Sequence, residues 1–168
     1  MFVPDDDVGA DRPYGLIDPP LQIGGAIAQS IIAAVYLGVA EGARSHALLA
    51  AATKADDPVT QRQVGLMTHR IRVAAWALDG ALAVIGDDPE PSMENFAAAM
   101  SAKREIALAG LEVCDLALEV AGGAAYFKGS PLERAYRDIR AVKYHPLSPE
   151  ATLLHQGQLA LGIPADRW

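Results

Sequence analysis

The chain has 168 residues, 51% of them hydrophobic, and its 14 Lys and Arg against 21 Asp and Glu give a formal net charge of −7. This length suits one domain. The acidic balance disfavours nucleic acid as a partner, because binding phosphates needs a surplus of Lys and Arg. The single cysteine, Cys114, excludes an intramolecular disulfide, and no Cys and His cluster has zinc-ligand spacing. We therefore expect a reducing, cytoplasmic setting and no metal site.

The amino-acid composition favours helices over strands. The chain has 32 alanines against ten aromatic residues, and alanine is the best helix former whereas aromatic residues favour strands. Side chains this small also let helices pack closely.

One uncharged stretch, Pro19 to Ala40, is long enough to cross a bilayer. It contains Gln22, Gln29 and two adjacent glycines, and no Lys or Arg cluster flanks it to orient a membrane span. We predict instead a buried core helix of a soluble bundle, and no membrane association.

The first helix is predicted over Leu21–Thr53, after an irregular lead-in over residues 1–20 in which Met1–Val3 resembles the end of a strand. Apolar residues recur at every fourth position of this helix and predict one apolar ridge: Ile23, Ile27, Ile31, Val35 and Val39. Gly38 and Gly42 lie beside the ridge, where we expect a neighbouring helix to approach.

Two further long helices follow. Asp57 as N-cap and Pro58 at the first helical position predict a helix that ends at Gly86. Its predicted apolar seam is Val64, Met67, Ile71, Ala74, Leu78, Ala81 and Ile85. The third helix is predicted from Ser92 to Ala121, with Gly122 as its C-cap. Its seam is Ile106, Ala109, Val113, Leu116 and Val120.

Two shorter helices complete the pattern. Ser130 and Glu133 form a predicted capping box that opens a short helix over Pro131–Val142. A last helix is predicted to start at Ser148-Pro149 and to end near Gly162. The predicted fold is all-α, an up-and-down four-helix bundle with an extra short helix, formed by residues 21–168.

Few residues indicate chemistry on their own. Glu112, Asp115 and Glu119 share a helix face and are interpreted as a solvated acidic stripe. The four histidines lack ligand spacing and are interpreted as surface or core residues: His46, His69, His145 and His155. Cys114 is expected to be a small core residue.

An ordered set of motifs between Gly122 and Asp138 resembles the C-terminal helical domain of the acyl-CoA dehydrogenase superfamily. The set runs Gly122-Gly123, Tyr126, Pro131, Arg134 and Arg137-Asp138. Tyr36-Leu37-Gly38-Val39-Ala40 resembles the Leu-Gly-x-Ala turn of the same domain, and Phe2-Val3-Pro4 is similar to the last strand of the family's middle β-domain. The resemblance implies that residues 1–20 are a remnant of that β-domain.

The resemblance implies a flavin cofactor, FAD or FMN, with Gly122, Gly123, Tyr126 and Arg137 as flavin-binding residues. Glycines without a Cβ let backbone approach a ligand. The Arg137-Asp138 pair has a second interpretation, in which it only fixes its helix to neighbouring elements. The two interpretations remain open at the level of sequence.

The chain departs from the dehydrogenases of the family at the catalytic base. Where they carry a glutamate in a Tyr-Glu-Gly-Thr motif, this chain has Tyr144-His145-Pro146-Leu147. The alternative glutamate position, on the first helix, falls near Ile27. Removal of an α-proton from a thioester needs such a base. His145 resembles instead the histidine of the superfamily's flavin monooxygenases, which implies His145 as a catalytic proton donor; alternatively, it merely opens the last loop.

The sequence therefore predicts the C-terminal domain of a flavin-dependent oxidoreductase that contributes to flavin binding and oligomerisation and is inactive as an isolated chain. Two alternatives stay open: a flavin-dependent monooxygenase of the same superfamily, and a non-catalytic helical assembly module. We expect a homo-oligomer, a dimer or tetramer, and a separate chain that supplies the missing domains is a further candidate partner.

Overall fold

The computed structural model describes residues 15–167, which form five α-helices joined by short turns. Three long helices, α1 (Pro19–Ala51), α2 (Pro58–Ile85) and α3 (Met93–Ala121), precede the short α4 (Pro131–Asp138) and α5 (Pro149–Ala160). Single 3₁₀ turns follow α1, α3 and α4, the last of them spanning Ile139–Tyr144. The predicted all-α bundle is confirmed. The strand expected at Met1–Val3 lies outside the described residues, as does most of the lead-in.

Each helix begins at a short polar side chain that accepts hydrogen bonds from the first backbone N–H groups. Asp57 accepts from Val59 N and Thr60 N, and Ser92 accepts from Glu94 N and Asn95 N. Asp18, Ser130 and Ser148 open the other three helices. Such caps satisfy donors that have no partner within the helix. Because capping is local, the predicted starts of α2 and α3 are confirmed.

The predicted capping box at α4 is only half formed. The Ser130 hydroxyl accepts from Leu132 N at 3.2 Å, but the Ser130 N–H donates to the Phe127 carbonyl at 3.1 Å. The Glu133 carboxylate pairs with Arg137 at 3.4 Å instead of reaching back to Ser130. An arginine four residues along offers a charged donor, whereas the cap N–H is already used. The helix also ends at Asp138, so the remainder predicted to Val142 is 3₁₀.

Helix α3 lies at the centre of the bundle. It packs most extensively against α1 and α2 and also contacts α4 and α5. Its buried residues occupy more of its circumference than the single predicted seam. The seam of α2 is confirmed, since Met67, Ala74, Leu78, Ala81 and Ile85 are all buried.

The predicted apolar ridge of α1 is buried only at its two ends, where Ile23 and Val39 are half-buried. Ile27, Ile31 and Val35 are 44%, 61% and 61% exposed. The buried face of α1 is instead a row of small side chains: Ala26, Ala33, Ala40, Ala43, Ala47 and Ala51. Alanines let α1 approach α3 closely, and the bulkier ridge is thereby turned outward. A Cβ at Gly38 or Gly42 would meet nothing within 4 Å, because a cleft separates these glycines from the neighbouring α4.

The segment Pro19–Lys54 is long and apolar enough to span a bilayer by length and composition, and 22% of its most apolar window is buried. This pattern is weak evidence for a membrane span, because core helices of soluble proteins share it. A helix buried all round, as the sequence predicted, is not what the structure contains.

Adjacent glycines near the start of α1 provide a matched test of the α1–α3 packing. A Cβ at Gly25 would lie 2.6 Å from a ring carbon of the buried Phe96, whereas a Cβ at Gly24 would meet nothing within 4 Å. We expect Gly25→Ala to lower the free energy of unfolding by about 1–3 kcal/mol through overpacking. Gly24→Ala is expected to raise it by about 0.5–1 kcal/mol, because alanine favours the helix. Urea unfolding followed by circular dichroism measures both; equal effects would contradict the packing.

Candidate active site around His145 and the Gly122–Arg137 cleft

His145 lies in the turn between the 3₁₀ segment Ile139–Tyr144 and α5. Its Nε2 atom is 2.9 Å from the Tyr36 hydroxyl on α1, and the two rings are tilted by 52° with their centroids 5.7 Å apart. Both side chains are half-buried. Two motifs that are distant in sequence, the Leu-Gly segment of α1 and the histidine turn, therefore meet in the fold.

The phenol that faces His145 is itself perturbed. Burial raises the pKa of Tyr36 above its ordinary value, and the negative charge of Asp138 raises it further. Tyr36 is therefore a neutral hydrogen-bond partner for the imidazole at neutral pH. The Tyr36 hydroxyl keeps its own proton and orients the imidazole through this hydrogen bond, which is the positioning that general acid–base catalysis requires.

Lys103 of α3 bonds the backbone of the turn that contains His145. Its Nζ atom donates to the carbonyl oxygens of His145, Pro146 and Leu147 at 3.0, 2.6 and 2.7 Å. Only 2% of this residue is exposed, and burial lowers the pKa of Lys103 to about 8. Lys103 was not among the residues predicted from the sequence. A signal was present, because Lys103 lies one helical turn from Met100 and from Ile106, on the apolar side of α3.

The Gly122–Tyr126 segment forms the other half of the predicted site. Gly122 ends α3 with φ +80°, a conformation that favours glycine, and its N–H donates to the Leu118 carbonyl. A Cβ at Gly123 would meet nothing within 4 Å, so the backbone there faces open space. Tyr126 is 68% exposed at the end of the following 3₁₀ turn.

Tyr126 and Arg137 line one cleft of about 360 Å³ between this turn and α4, together with Lys128, Glu133, Tyr136 and Arg140. Lys128 and Arg137 also line an adjoining polar cleft of about 440 Å³ that adds Arg134. Among residues 15–167, neither Lys128 nor Arg134 has an ion-pair partner. The clefts therefore present cations and aromatic rings to solvent, a combination that suits a phosphate-bearing aromatic ligand.

Among residues 15–167, both ion-pair partners of Arg137 lie within α4. They are Glu133 and Asp138, at 3.4 and 3.3 Å. The anchoring interaction comes from Arg140, which bonds Asp115 of α3 at 2.9 Å and lies 3.5 Å above the Tyr136 ring. Whether the Arg137-Asp138 pair binds a flavin or only supports its helix stays a prediction. His145 is not among the residues that line either cleft.

The remaining candidates mostly behave as structural residues. Glu112 and Glu119 bond Arg70 and Gln63 of α2, whereas Asp115 bonds Arg140 on another side; the acidic stripe is therefore divided between two neighbours. Cys114 is buried, as expected, and burial raises its pKa to about 12. The part of the chain that the structure describes contains no group of three His, Cys, Asp or Glu that could hold a metal ion.

Two of the other histidines are exposed, His46 and His69. His155 is buried edge-on against the Phe96 ring, with centroids 5.5 Å apart. Burial lowers the pKa of His155, and the backbone of Ala165 partly opposes that shift. These three agree with the predicted surface and core roles.

Residues 27–148 match the family described as acyl-CoA dehydrogenase, C-terminal domain. The chain belongs to this family. The match includes Tyr36, Lys103 and His145, and extends over α2, α3 and α4.

Two curated relatives carry different names. YdbM of Bacillus subtilis (strain 168), an acyl-CoA dehydrogenase by name, is 30% identical in an alignment of 131 positions that covers 73% of this chain and 34% of YdbM. L-evernosamine nitrososynthase of a Micromonospora species is 28% identical in an alignment of 168 positions that covers 92% of this chain and 39% of that protein. This chain therefore spans only about a third to two fifths of these relatives.

Solved structures agree on the fold. KijD3, crystallised in complex with FMN and an amino-sugar nucleotide, superposes with a TM-score of 0.76 at 24% identity, over 87% of this chain and 39% of KijD3. The 3-HSA hydroxylase of Rhodococcus sp. RHA1 gives a TM-score of 0.67 at 26% identity, over 83% of this chain and 38% of the hydroxylase.

The buried lysine predicts a pH dependence of stability. In the unfolded chain Lys103 keeps its proton up to about its ordinary pKa of 10.5, but the folded protein releases it near 8. Between these values the unfolded state binds more protons, so the contribution of Lys103 to stability rises with pH. Urea unfolding measures the free energy of unfolding of wild type and of Lys103→Met. The value for wild type minus the value for Lys103→Met should rise from pH 8 to 10.5. A flat or falling difference would contradict this assignment.

Proposed function

We propose that this chain is the C-terminal helical domain of a flavin-dependent oxidoreductase in which His145 transfers a proton next to the flavin. The observation that carries the proposal is the half-buried contact between His145 Nε2 and the Tyr36 hydroxyl at 2.9 Å. His145 lies at the place in the sequence where dehydrogenases of the family are expected to carry a glutamate. Imidazole is a common proton-transferring group in catalysis, and here a hydrogen bond to a neutral phenol orients it.

The clefts beside α4 suit a flavin cofactor in charge and shape. The backbone at Gly122 and Gly123 faces open space, Tyr126 offers an exposed aromatic face, and Arg137 with Lys128 offers donors for phosphate oxygens. KijD3, a structural neighbour, holds FMN. We propose these residues as flavin-binding residues of this chain, for FMN or FAD. A bound flavin would supply the electron-transferring group.

Monooxygenation is the reaction that the residues favour within this class. Dehydrogenation of a thioester needs a carboxylate base, and the segment Lys143–Ser148 contains none. His145 is instead suited to delivering a proton to reduced oxygen. The names of two relatives, a hydroxylase and a nitrososynthase, are consistent with this choice.

We propose further that the isolated chain is inactive, because the relatives are much longer than the part this chain matches. We also propose that the complete protein is a cytoplasmic enzyme that does not associate with a membrane. Its remaining domains are supplied by the rest of a longer chain or by a separate chain.

A flavin titration tests cofactor binding and inactivity together. We expect no tight complex and no turnover when the purified chain meets micromolar FMN or FAD. At millimolar flavin, amide NMR signals of Gly122, Gly123 and Tyr126 should shift. Arg137→Gln should weaken those shifts, because it removes a donor to phosphate, whereas Arg72→Gln on the exposed side of α2 should not. Turnover with tight binding would disprove inactivity, and unshifted loop signals would disprove the flavin site.

The outer face of α1 supports the assembly role. Ile27, Ile31 and Val35 are exposed, and an apolar groove of about 320 Å³ runs between Ile27 and Ile31 of α1 and Leu82 and Ile85 of α2. Apolar patches of this kind mark interfaces. We propose that a second copy of the chain covers this face, giving a homo-oligomer.

A charge placed on this face should prevent the association. Ile31→Glu is expected to shift the protein from dimer or tetramer to monomer in sedimentation velocity, because burying an unpaired carboxylate is costly. Val59→Glu, an equally exposed apolar position at the start of α2, serves as the control and should leave the oligomer intact. A wild-type monomer at micromolar concentration would disprove self-association and leave the missing domains as the occupant of this face.

A further inference from the structure

Lys103 is a buried cation that the proposed proton transfer does not use. It is 2% exposed, and no carboxylate within residues 15–167 forms an ion pair with it. Burying a charge is costly unless polar partners replace the water that is lost. A methionine at this position would fill similar space without that cost. The hydrogen-bond partners of the ammonium group should therefore explain why a lysine is buried here.

The partners of Lys103 are three consecutive backbone carbonyls. An ammonium group has three N–H donors, and the carbonyl oxygens of residues 145–147 lie at 3.0, 2.6 and 2.7 Å from Nζ. Donors and acceptors are thus matched in number. These carbonyls belong to a turn outside regular secondary structure, so the lysine takes the place of the backbone donors that a helix or sheet would provide.

Other contacts fix the same turn to α3. The Leu147 N–H faces the Met100 sulfur at 3.5 Å, and the Leu147 side chain is buried. Arg104 donates to the Pro149 carbonyl at 3.2 Å. Lys103 therefore lies between two further anchor points and is the one that contacts His145 itself.

We propose that Lys103 is the positioning residue for His145. Its ammonium group holds the backbone of residues 145–147 against α3 through three hydrogen bonds. The imidazole is thereby placed at the Tyr36 hydroxyl on α1. Without Lys103 three carbonyls lose their donor, and the backbone at His145 shifts even though Met100 and Arg104 still contact the turn. The proposal rests on the proposed function for one step, the proton transfer by His145, and on contacts within the chain for everything else.

Lys103 is not a nucleophile in this account. All three N–H groups are engaged by carbonyls, and the amine has almost no exposed surface. A group in that state acts on the reaction only through the position of His145.

NMR of the chain alone tests the positioning role of Lys103 without any flavin. In Lys103→Met we expect amide exchange at Leu147 to accelerate by about tenfold or more, and the His145 ring signals to move towards those of the exposed His46. Lys143→Met makes the same change at an exposed lysine two residues from His145 and should leave both readouts unchanged. Unaltered His145 ring signals in Lys103→Met would overturn the proposal.

Wild-type protein provides a second readout in case Lys103→Met does not fold. In ¹⁵N-lysine-labelled chain below pH 8, the Lys103 ammonium should give a slowly exchanging signal with hydrogen-bond couplings to the carbonyls of residues 145–147. A rapidly exchanging amine without such couplings would overturn the proposal.

The flavin-loaded enzyme separates the two proposals. Lys103→Met should lower kcat more than it changes KM, because the lysine touches neither substrate nor flavin. If His145→Ala leaves turnover unchanged, the proposed function fails, while the NMR measurements still decide the role of Lys103. If His145→Ala abolishes turnover and Lys103→Met leaves kcat unaltered, the positioning role fails by itself.

Discussion

The buried ammonium group of Lys103 connects the central helix of the bundle to the turn that carries His145. Three carbonyl acceptors and one charge bind the turn at residues 145–147 to the central helix α3. The turn then presents His145 to Tyr36 on α1. The positions of α1, α3 and the last loop are therefore linked at one point, and a change in any of them reaches the imidazole.

The contacts of this turn with both α1 and α3 depend on the close approach of the helices. The buried face of α1 consists of alanines, and a Cβ at Gly110 of α3 would lie 2.6 Å from the Ile139 side chain and 3.8 Å from that of Ala40. Small side chains thus bring α1, α3 and the 3₁₀ segment after α4 together. The same choice leaves the larger residues of α1, such as Ile31, on the outside, where they are available to an assembly.

Local features could be predicted from the sequence, and long-range ones could not. Asp57 and Ser92 cap their helices because capping needs only neighbouring residues. Both faces of α1 are apolar, so the sequence predicted a helix buried all round, and periodicity could not show that the face through Ile31 is exposed. Lys103 was missed because its acceptors lie 42 to 44 residues along the chain. Family resemblance supplied His145, but its contact with Tyr36 is a property of the fold.

The most direct test of the central claim is a crystal structure of this domain within its flavin-loaded enzyme. We expect the His145 imidazole within hydrogen-bond reach, about 3 Å, of the flavin or of a substrate analogue, with Lys103 still bonded to its three carbonyls. An imidazole that faces solvent or another helix, with a carboxylate in its place beside the flavin, would contradict the claim.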